Sequence, residues 1–144
     1  MKSLIVRQAD TNDASRIAML SEQLGYPVEV DLIRQRLEKL LPRPDQLILV
    51  AESSGQVVGW THAAEQQILE TGRHCEILGL VVAAGQRGQG TGRLLIEAIE
   101  QWASGEGFKQ ICVRSNVIRP DSHPFYERMG FTRVKTQHVY RREL

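Results

Sequence analysis

The 144-residue sequence predicts one mixed α/β (α+β) domain over 1–144, a mostly antiparallel central sheet with helices on both faces. Three observations carry that class. Apolar runs of strand length, Leu47-Ile48-Leu49-Val50-Ala51 and residues 56–68 and 73–83, are split by the turn signals Ser53-Ser54-Gly55 and Glu70-Thr71-Gly72, the pattern of an antiparallel meander. Leu94, Leu95, Ala98, Ile99, Trp102 and Ala103 recur at the spacing of one helix face. Glycines 85, 88, 90 and 92 join the last meander strand to that helix. The apolar run after it, residues 108–115, is reached by a helical crossover and so lies parallel to the strand before the glycines.

Taken in order, residues 4–8 read as a short strand. Asp10 or Thr11 caps a helix reaching Leu24, with Ile17, Leu20 and Leu24 inward and Gly25 as its stop. Tyr26-Pro27 turns the chain into a second helix over 29–41, whose stripe is Ile33, Leu37, Leu40 and Leu41 and which Pro42 ends. Three meander strands over 46–52, 56–68 and 73–83 follow, then a helix over 90–104 and the parallel strand. Residues 123–129 form a short helix stopped by Gly130. Residues 131–134 and 137–142 close the sheet as a hairpin-like pair, giving the order β-α-α-β-β-β-α-β-α-β-β.

Composition narrows the function classes. A net charge of +1 offers no basic field for nucleic acid or an acidic membrane. The N-terminal Met1-Lys2-Ser3-Leu4-Ile5-Val6-Arg7 lacks a signal-peptide core, and no apolar run approaches the ~20 residues of a membrane span, so a cytoplasmic protein is expected. Cys75 and Cys112 fit no metal-ligand or disulfide spacing; each lies in an apolar run and reads as a buried structural thiol.

The glycine stretch carries the chemistry. A helix start leaves about four N–H groups without partners and adds partial positive charge, and glycines let a ligand approach them. The product is an anion cradle, with an ordinary helix start as the plainer alternative. A nucleotide-triphosphate loop would need G-x-x-x-x-G-K-[ST], but Arg93-Leu94 follows Gly92. The spacing Gly88-x-Gly90-x-Gly92 also misses the dinucleotide fingerprint.

Arg87-Gly88-Gln89-Gly90-Thr91-Gly92 does fit [Q/R]-x-x-G-x-[G/A]. With Leu80-Val81-Val82 before it and Leu94-Leu95 after it, the segment resembles the acyl-CoA-binding core of the GNAT superfamily of N-acetyltransferases. Phe125-Tyr126-Glu127-Arg128-Met129-Gly130-Phe131 is similar to that family's second signature, [F/Y]-Y-x-x-x-G-F, and the element order matches along the whole chain. Ala84 departs from the proline common in the family.

The resemblance implies acetyl-CoA as co-substrate and no metal. It implies that backbone N–H groups of Arg87, Gly88, Gln89, Gly90, Thr91, Gly92 and Arg93 hold the CoA pyrophosphate, and that Leu80, Val81 and Val82 pair with the pantetheine amides. In the family that strand is bulged and splays from its parallel neighbour; Gly79 is a plausible place for the distortion. Asn116 is either a pantetheine contact or a strand-end turn former.

Acetyl transfer to an amine needs the amine neutral, and an amine of pKa ~10.4 is so in only about one molecule in 2,500 at pH 7. Glu76 is the candidate base, where the resemblance puts a catalytic glutamate in some members; apolar neighbours Cys75, Ile77 and Leu78 favour its taking a proton, directly or through water. The alternative is a glutamate paired with a surface cation. Backbone N–H groups around Val81 or Val82 can polarise the thioester. Tyr126, which the resemblance places beside the CoA sulfur, is the candidate acid for the leaving thiolate, against a plain core aromatic. His123 is expected to cap its helix with Asp121 and Ser122. Neither cysteine has a local base, so direct attack in a ternary complex is preferred over an acyl-enzyme.

The acceptor is a primary amine of a small molecule or peptide, with Glu22, Tyr26, Trp60, His62 and Glu65 as candidates for its pocket. A non-catalytic acyl-CoA-binding sensor module is the alternative function. The last strand, residues 137–142, offers a pairing edge for a homodimer.

Overall fold

The computed structural model describes residues 3–117 and 121–144. Met1 and Lys2 of the N-terminal stretch lie outside them. The chain divides into two compact units, the first running to Arg114 and the second Ser115–Leu144.

In the first unit five strands lie in chain order, β1 (Leu4–Gln8), β2 (Gln46–Ser53), β3 (Gln56–Ile68), β4 (Gly72–Val82) and β5 (Ile111–Val113). The first three pairings are antiparallel and β4–β5 is parallel. Helices α1 (Ala14–Gln23) and α2 (Val30–Leu40) join β1 to β2, and α3 (Thr91–Gly105) is the crossover from β4 to β5. Strand alternation divides the core between two faces. Ile48, Val50, Val57 and Val81 pack with Ile17, Leu20 and Leu37 of α1 and α2. Leu49, Ala51 and Val58 pack with Leu95 of α3. Helices therefore cover both faces, as the pattern predicts.

The N-terminal cap is Asp10. Its Oδ1 accepts from Asn12 N–H at 2.7 Å while Asp13 Oδ2 accepts from Asp10 N–H at 2.8 Å, a reciprocal box over the 3-10 turn that starts α1. Asp13 is buried, and Arg7 Nη2 lies 2.8 Å from its Oδ1 and also 2.8 Å from Glu52 Oε1, which ties β1, β2 and the helix start together.

In the second unit α4 (Ser122–Arg128) ends before Gly130, whose φ is +93°. Tyr126 stacks edge-on to Phe125 and to Phe131, with ring centroids 5.2 and 5.8 Å apart. Residues 131–134 and 137–142 carry no strand, which corrects the predicted closing pair. Lys135-Thr136, the expected connection, contains no residue suited to the positive φ of a tight hairpin turn. Val134, Val139 and Tyr140 are 85 %, 88 % and 91 % exposed, so burial does not hold the segment in a ladder either.

Cys75 is buried, but Cys112 is exposed, against expectation. In a three-residue strand the alternation turns Cys112 to the face opposite Ile111 and Val113. Burial pushes the Cys75 thiol up to about 11, with nearby Cys112 and Glu76 adding to the shift, so it is no nucleophile at neutral pH.

Candidate active site

Strand β4 is distorted where its partner ends. His62 lies opposite Gly79 and Ala63 opposite Ile77, so Leu78 is an extra residue on β4. Strand β5 pairs only with Cys75, Glu76 and Ile77 and stops there. Among the described residues, β4 beyond the bulge has β3 on one side and no strand on the other. The distortion expected at Gly79 therefore falls at the Leu78–Gly79 step.

The direction of the backbone groups follows from two hydrogen bonds to β3. Ala83 N–H donates to Val58 O at 2.8 Å, and Thr61 Oγ1 donates to Gly79 O at 2.7 Å. Successive residues of a strand point their polar groups to opposite sides. Residues 79, 81 and 83 thus turn to β3, whereas Leu80 and Val82 present N–H and C=O to the open edge. Val81, expected to share this edge, has its backbone committed to β3 opposite Trp60 and its side chain buried toward α1 and α2.

After Val82 the chain makes a 3-10 turn (Ala84–Gln86) and reaches α3 through Gly88 and Gly90, whose φ angles of +79° and +84° are left-handed. A Cβ built on either glycine meets nothing within 4 Å, so the turn is open as well as permissive. The first helical bond is Leu94 N–H to Gly90 O at 3.0 Å. The N–H groups of Thr91, Gly92 and Arg93 lie ahead of it, where helix geometry gives them no intrahelical carbonyl. Arg87 and Gln89 are exposed beside them. The Thr91 side chain is buried against β3 at Gly59, so its backbone alone faces the turn. An open run of main-chain donors next to an unpaired strand edge fits a pyrophosphate followed by an amide-bearing arm.

On the α1/α2 side of the bulge stand Glu76, His74, His62 and Trp60. Glu76 is buried, 8 % exposed. His74 Nε2 donates to its Oε1 at 3.2 Å and Arg114 Nε to its Oε2 at 3.2 Å. The expected apolar setting is thus corrected: Cys75 and Ile77 are neighbours in sequence but point to the other face, and Glu76 itself is held by His74 and Arg114. The surface-cation pairing weighed as the alternative is present, with Arg114 67 % exposed. His62 Nε2 donates to Gln46 Oε1 at 2.7 Å. The indole of Trp60 covers Gly79, and its Nε1 is buried with no hydrogen-bond partner among the described residues. Glu65 is committed elsewhere, paired with Arg73. Glu22 lines a small cavity with Pro27, Val28 and Glu29 at the α1–α2 connection, while Tyr26 is exposed nearby.

In the second unit His123 Nε2 donates to Asn116 O at 3.1 Å. Asp121 is the N-cap of α4, but no side-chain bond caps the helix, so the capping expected of Asp121, Ser122 and His123 is not formed. Gln46 and His74 belong to no motif in the sequence. Period-two alternation marks them as strand residues, but only the register of β2, β3 and β4 brings them beside His62 and Glu76.

A bulged strand with one free edge thus leads through left-handed glycines into a helix N-terminus on a mixed sheet. Residues 13–131 match the Acetyltransferase (GNAT) family, and the chain belongs to that family of acetyl-CoA-dependent N-acetyltransferases. It is 30 % identical over 133 residues to an uncharacterized N-acetyltransferase of Chlorobaculum tepidum, covering 92 % of this chain and 78 % of that protein. It is 25 % identical over 114 residues to an uncharacterized N-acetyltransferase of Bacillus subtilis, covering 78 % and 80 %. Among solved structures, the aminoglycoside N-acetyltransferase AAC(6')-Iy in complex with CoA superposes with a TM-score of 0.89 at 18 % identity, covering 100 % of this chain and 97 % of that one. Glucosamine-6-phosphate N-acetyltransferase from Arabidopsis thaliana superposes with a TM-score of 0.83 at 18 % identity, covering 98 % and 99 %.

Proposed function

We propose that the protein transfers the acetyl group of acetyl-CoA to a primary amine of a small molecule or peptide by direct attack in a ternary complex. The observation that carries the reading is the free edge of β4 past the Leu78 bulge, continuous with the glycine turn at the start of α3. N–H groups from Arg87 to Arg93 would hold the pyrophosphate, and Leu80 and Val82 would bond the pantetheine amides. When bound, the cofactor supplies an activated acetyl carbonyl whose leaving thiol has a pKa of ~8.5. A strand N–H at the open edge is the oxyanion donor available there.

Glu76 places a carboxylate on the α1/α2 side of the bulge, where it would draw in an ammonium and accept its proton. Tyr126 is proposed as the acid for the thiolate, on the strength of its motif, and Asn116 as a pantetheine contact. The neighbours named for aminoglycosides and glucosamine 6-phosphate support small amines as the first acceptors to try.

Calorimetry with acetyl-CoA, ATP and NAD, followed by a screen of amines for free-thiol release, tests the reading. Acetyl-CoA alone should bind, and at least one amine should release thiol. Binding of ATP without acetyl-CoA would overturn the cofactor assignment; acetyl-CoA binding with no thiol release would point to a sensor module.

A further inference from the structure

An ammonium acceptor must lose two protons to become an amide, one before it can attack and one as the new N–C bond forms. Glu76 accounts for the first. Once that proton is on it, the carboxyl held by His74 and Arg114 cannot take the other, and a second acceptor on the same face would serve.

His62 is placed for that second proton. It lies on β3 directly opposite Gly79, at the bulge, on the face shared with Trp60 and Ala64, and Ala64 is itself opposite Glu76. The indole of Trp60 covers Gly79 itself, and His62 is the next residue along β3 on that same face. Gln46 is its diagonal neighbour on β2, and the 2.7 Å bond to Gln46 Oε1 requires the proton on Nε2. Nδ1 is then the ring atom with a lone pair, and no bond to it is formed among the described residues. Building on the acetyl-transfer reading, we propose that His62 Nδ1 is the general base for the attacking nitrogen and that Gln46 is a positioning residue that holds its tautomer.

Bond formation between nitrogen and the acetyl carbon makes the remaining N–H acidic, and that proton passes to Nδ1. The C–S bond then breaks with its electron pair on sulfur, which is protonated in turn, and His62 returns its proton to solvent. Burial lowers the His62 pKa below 6.5, keeping the ring neutral and receptive at pH 7. Among the described residues, the charged groups on this side of the sheet include Glu76 and His74 from β4, Arg114 after β5, Arg16 from α1, bonded to Val57 O at 2.7 Å, and the Arg7, Asp13 and Glu52 cluster of β1, the α1 start and β2. Core-facing residues of α2, Ile33, Leu37 and Leu40, are apolar. No neighbouring charge contributes to the His62 shift; burial alone drives it.

The test uses the full chain with acetyl-CoA and neamine, spermidine and the peptide Ala-Lys-Ala as acceptor probes. His62→Gln should lower kcat about 100-fold, the lower end for a general base, and remove the acid limb of the pH profile, with acetyl-CoA binding unchanged. Gln46→Glu should instead move that limb up by about one pH unit, because a facing carboxylate favours the charged ring. Nitrogen NMR of the unaltered protein should show Nε2 protonated and Nδ1 bare at pH 7.5, whatever the variants do. A proton on Nδ1, or an unchanged rate and limb in His62→Gln, overturns the proposal while leaving acetyl transfer intact. No thiol release from any probe by the unaltered protein would overturn both.

Discussion

Replacing Gly79 by alanine sets a methyl group against an indole. A Cβ at this position would lie 2.8 Å from Cη2 and 2.9 Å from Cζ3 of Trp60, inside any distance that real Cβ contacts adopt. The Gly79 backbone is not left-handed, so the substitution meets steric resistance alone. Trp60 packs against the α1/α2 core and cannot swing out without exposing apolar surface. Overpacking of this kind costs about 1–3 kcal/mol, and loss of glycine entropy in a strand returns ~0.5–1 kcal/mol. The net loss should be about 1–2 kcal/mol, a urea midpoint lower by about 0.5–1 M for a slope near 2 kcal/mol per molar. Urea unfolding followed by circular dichroism measures it, in Gly79→Ala, Trp60→Phe and the double variant. Trp60→Phe removes the outer indole atoms, so the double variant should show a coupling of at least ~1 kcal/mol. The steric account fails if Gly79→Ala unfolds at the original midpoint, or costs the same whether residue 60 is tryptophan or phenylalanine.

Gly90→Ala forces a φ of +84° on a residue with a Cβ and should cost more than ~1 kcal/mol in urea, with weaker acetyl-CoA binding by calorimetry. Leu95→Ala, at a fully buried position under α3, should cost ~2–5 kcal/mol in the same assay. Asp13→Asn removes one of the two carboxylates paired with Arg7 and leaves Glu52; breaking a buried pair costs about 3–5 kcal/mol, and the remaining pair, with exposure of a third of the Arg7 side chain, reduces the expectation to about 2 kcal/mol. Burial alone would raise the Asp13 carboxyl, but bonds from Arg7 and the Asp10 backbone, with the Arg7 charge, hold it below the usual carboxylate range. Its stabilisation should therefore be complete above about pH 4 and be lost as pH falls through the lower folded value. His62 is also depressed, by burial, so the unfolded chain binds more protons below about pH 6.5 and stability should fall there. Urea midpoints between pH 5 and 7.5 should show that decline in the unaltered protein and a shallower one in His62→Gln.

Local pattern carried much of the architecture. The bounds expected for β3 are those observed, 56–68, because Ser53-Ser54-Gly55 and Glu70-Thr71-Gly72 mark both ends within the sequence itself. The α3 stripe lands on Leu95, Ile99 and Ala103, all buried, because helix periodicity depends on neighbours three and four residues apart. The closing strands failed for the converse reason. A strand exists through its ladder, and residues 131–142 have the alternation without a turn or buried face to secure one.

The site divides along the same line. The glycine spacing at 88, 90 and 92 pointed to a donor turn from sequence alone, since the positive φ taken by Gly88 and Gly90 and the absence of side chains are open to glycine itself. Only tertiary structure decided that Leu80 and Val82, rather than Val81, face the open edge, because that depends on which residues β3 claims. Likewise it decided that Glu76 sits between His74 and Arg114, and that Gln46, sixteen residues away in the chain, orients His62. Periodicity and capping are local and readable along the chain. Strand register is a non-local choice, and one residue of bulge at Leu78 is enough to change which face every later side chain occupies.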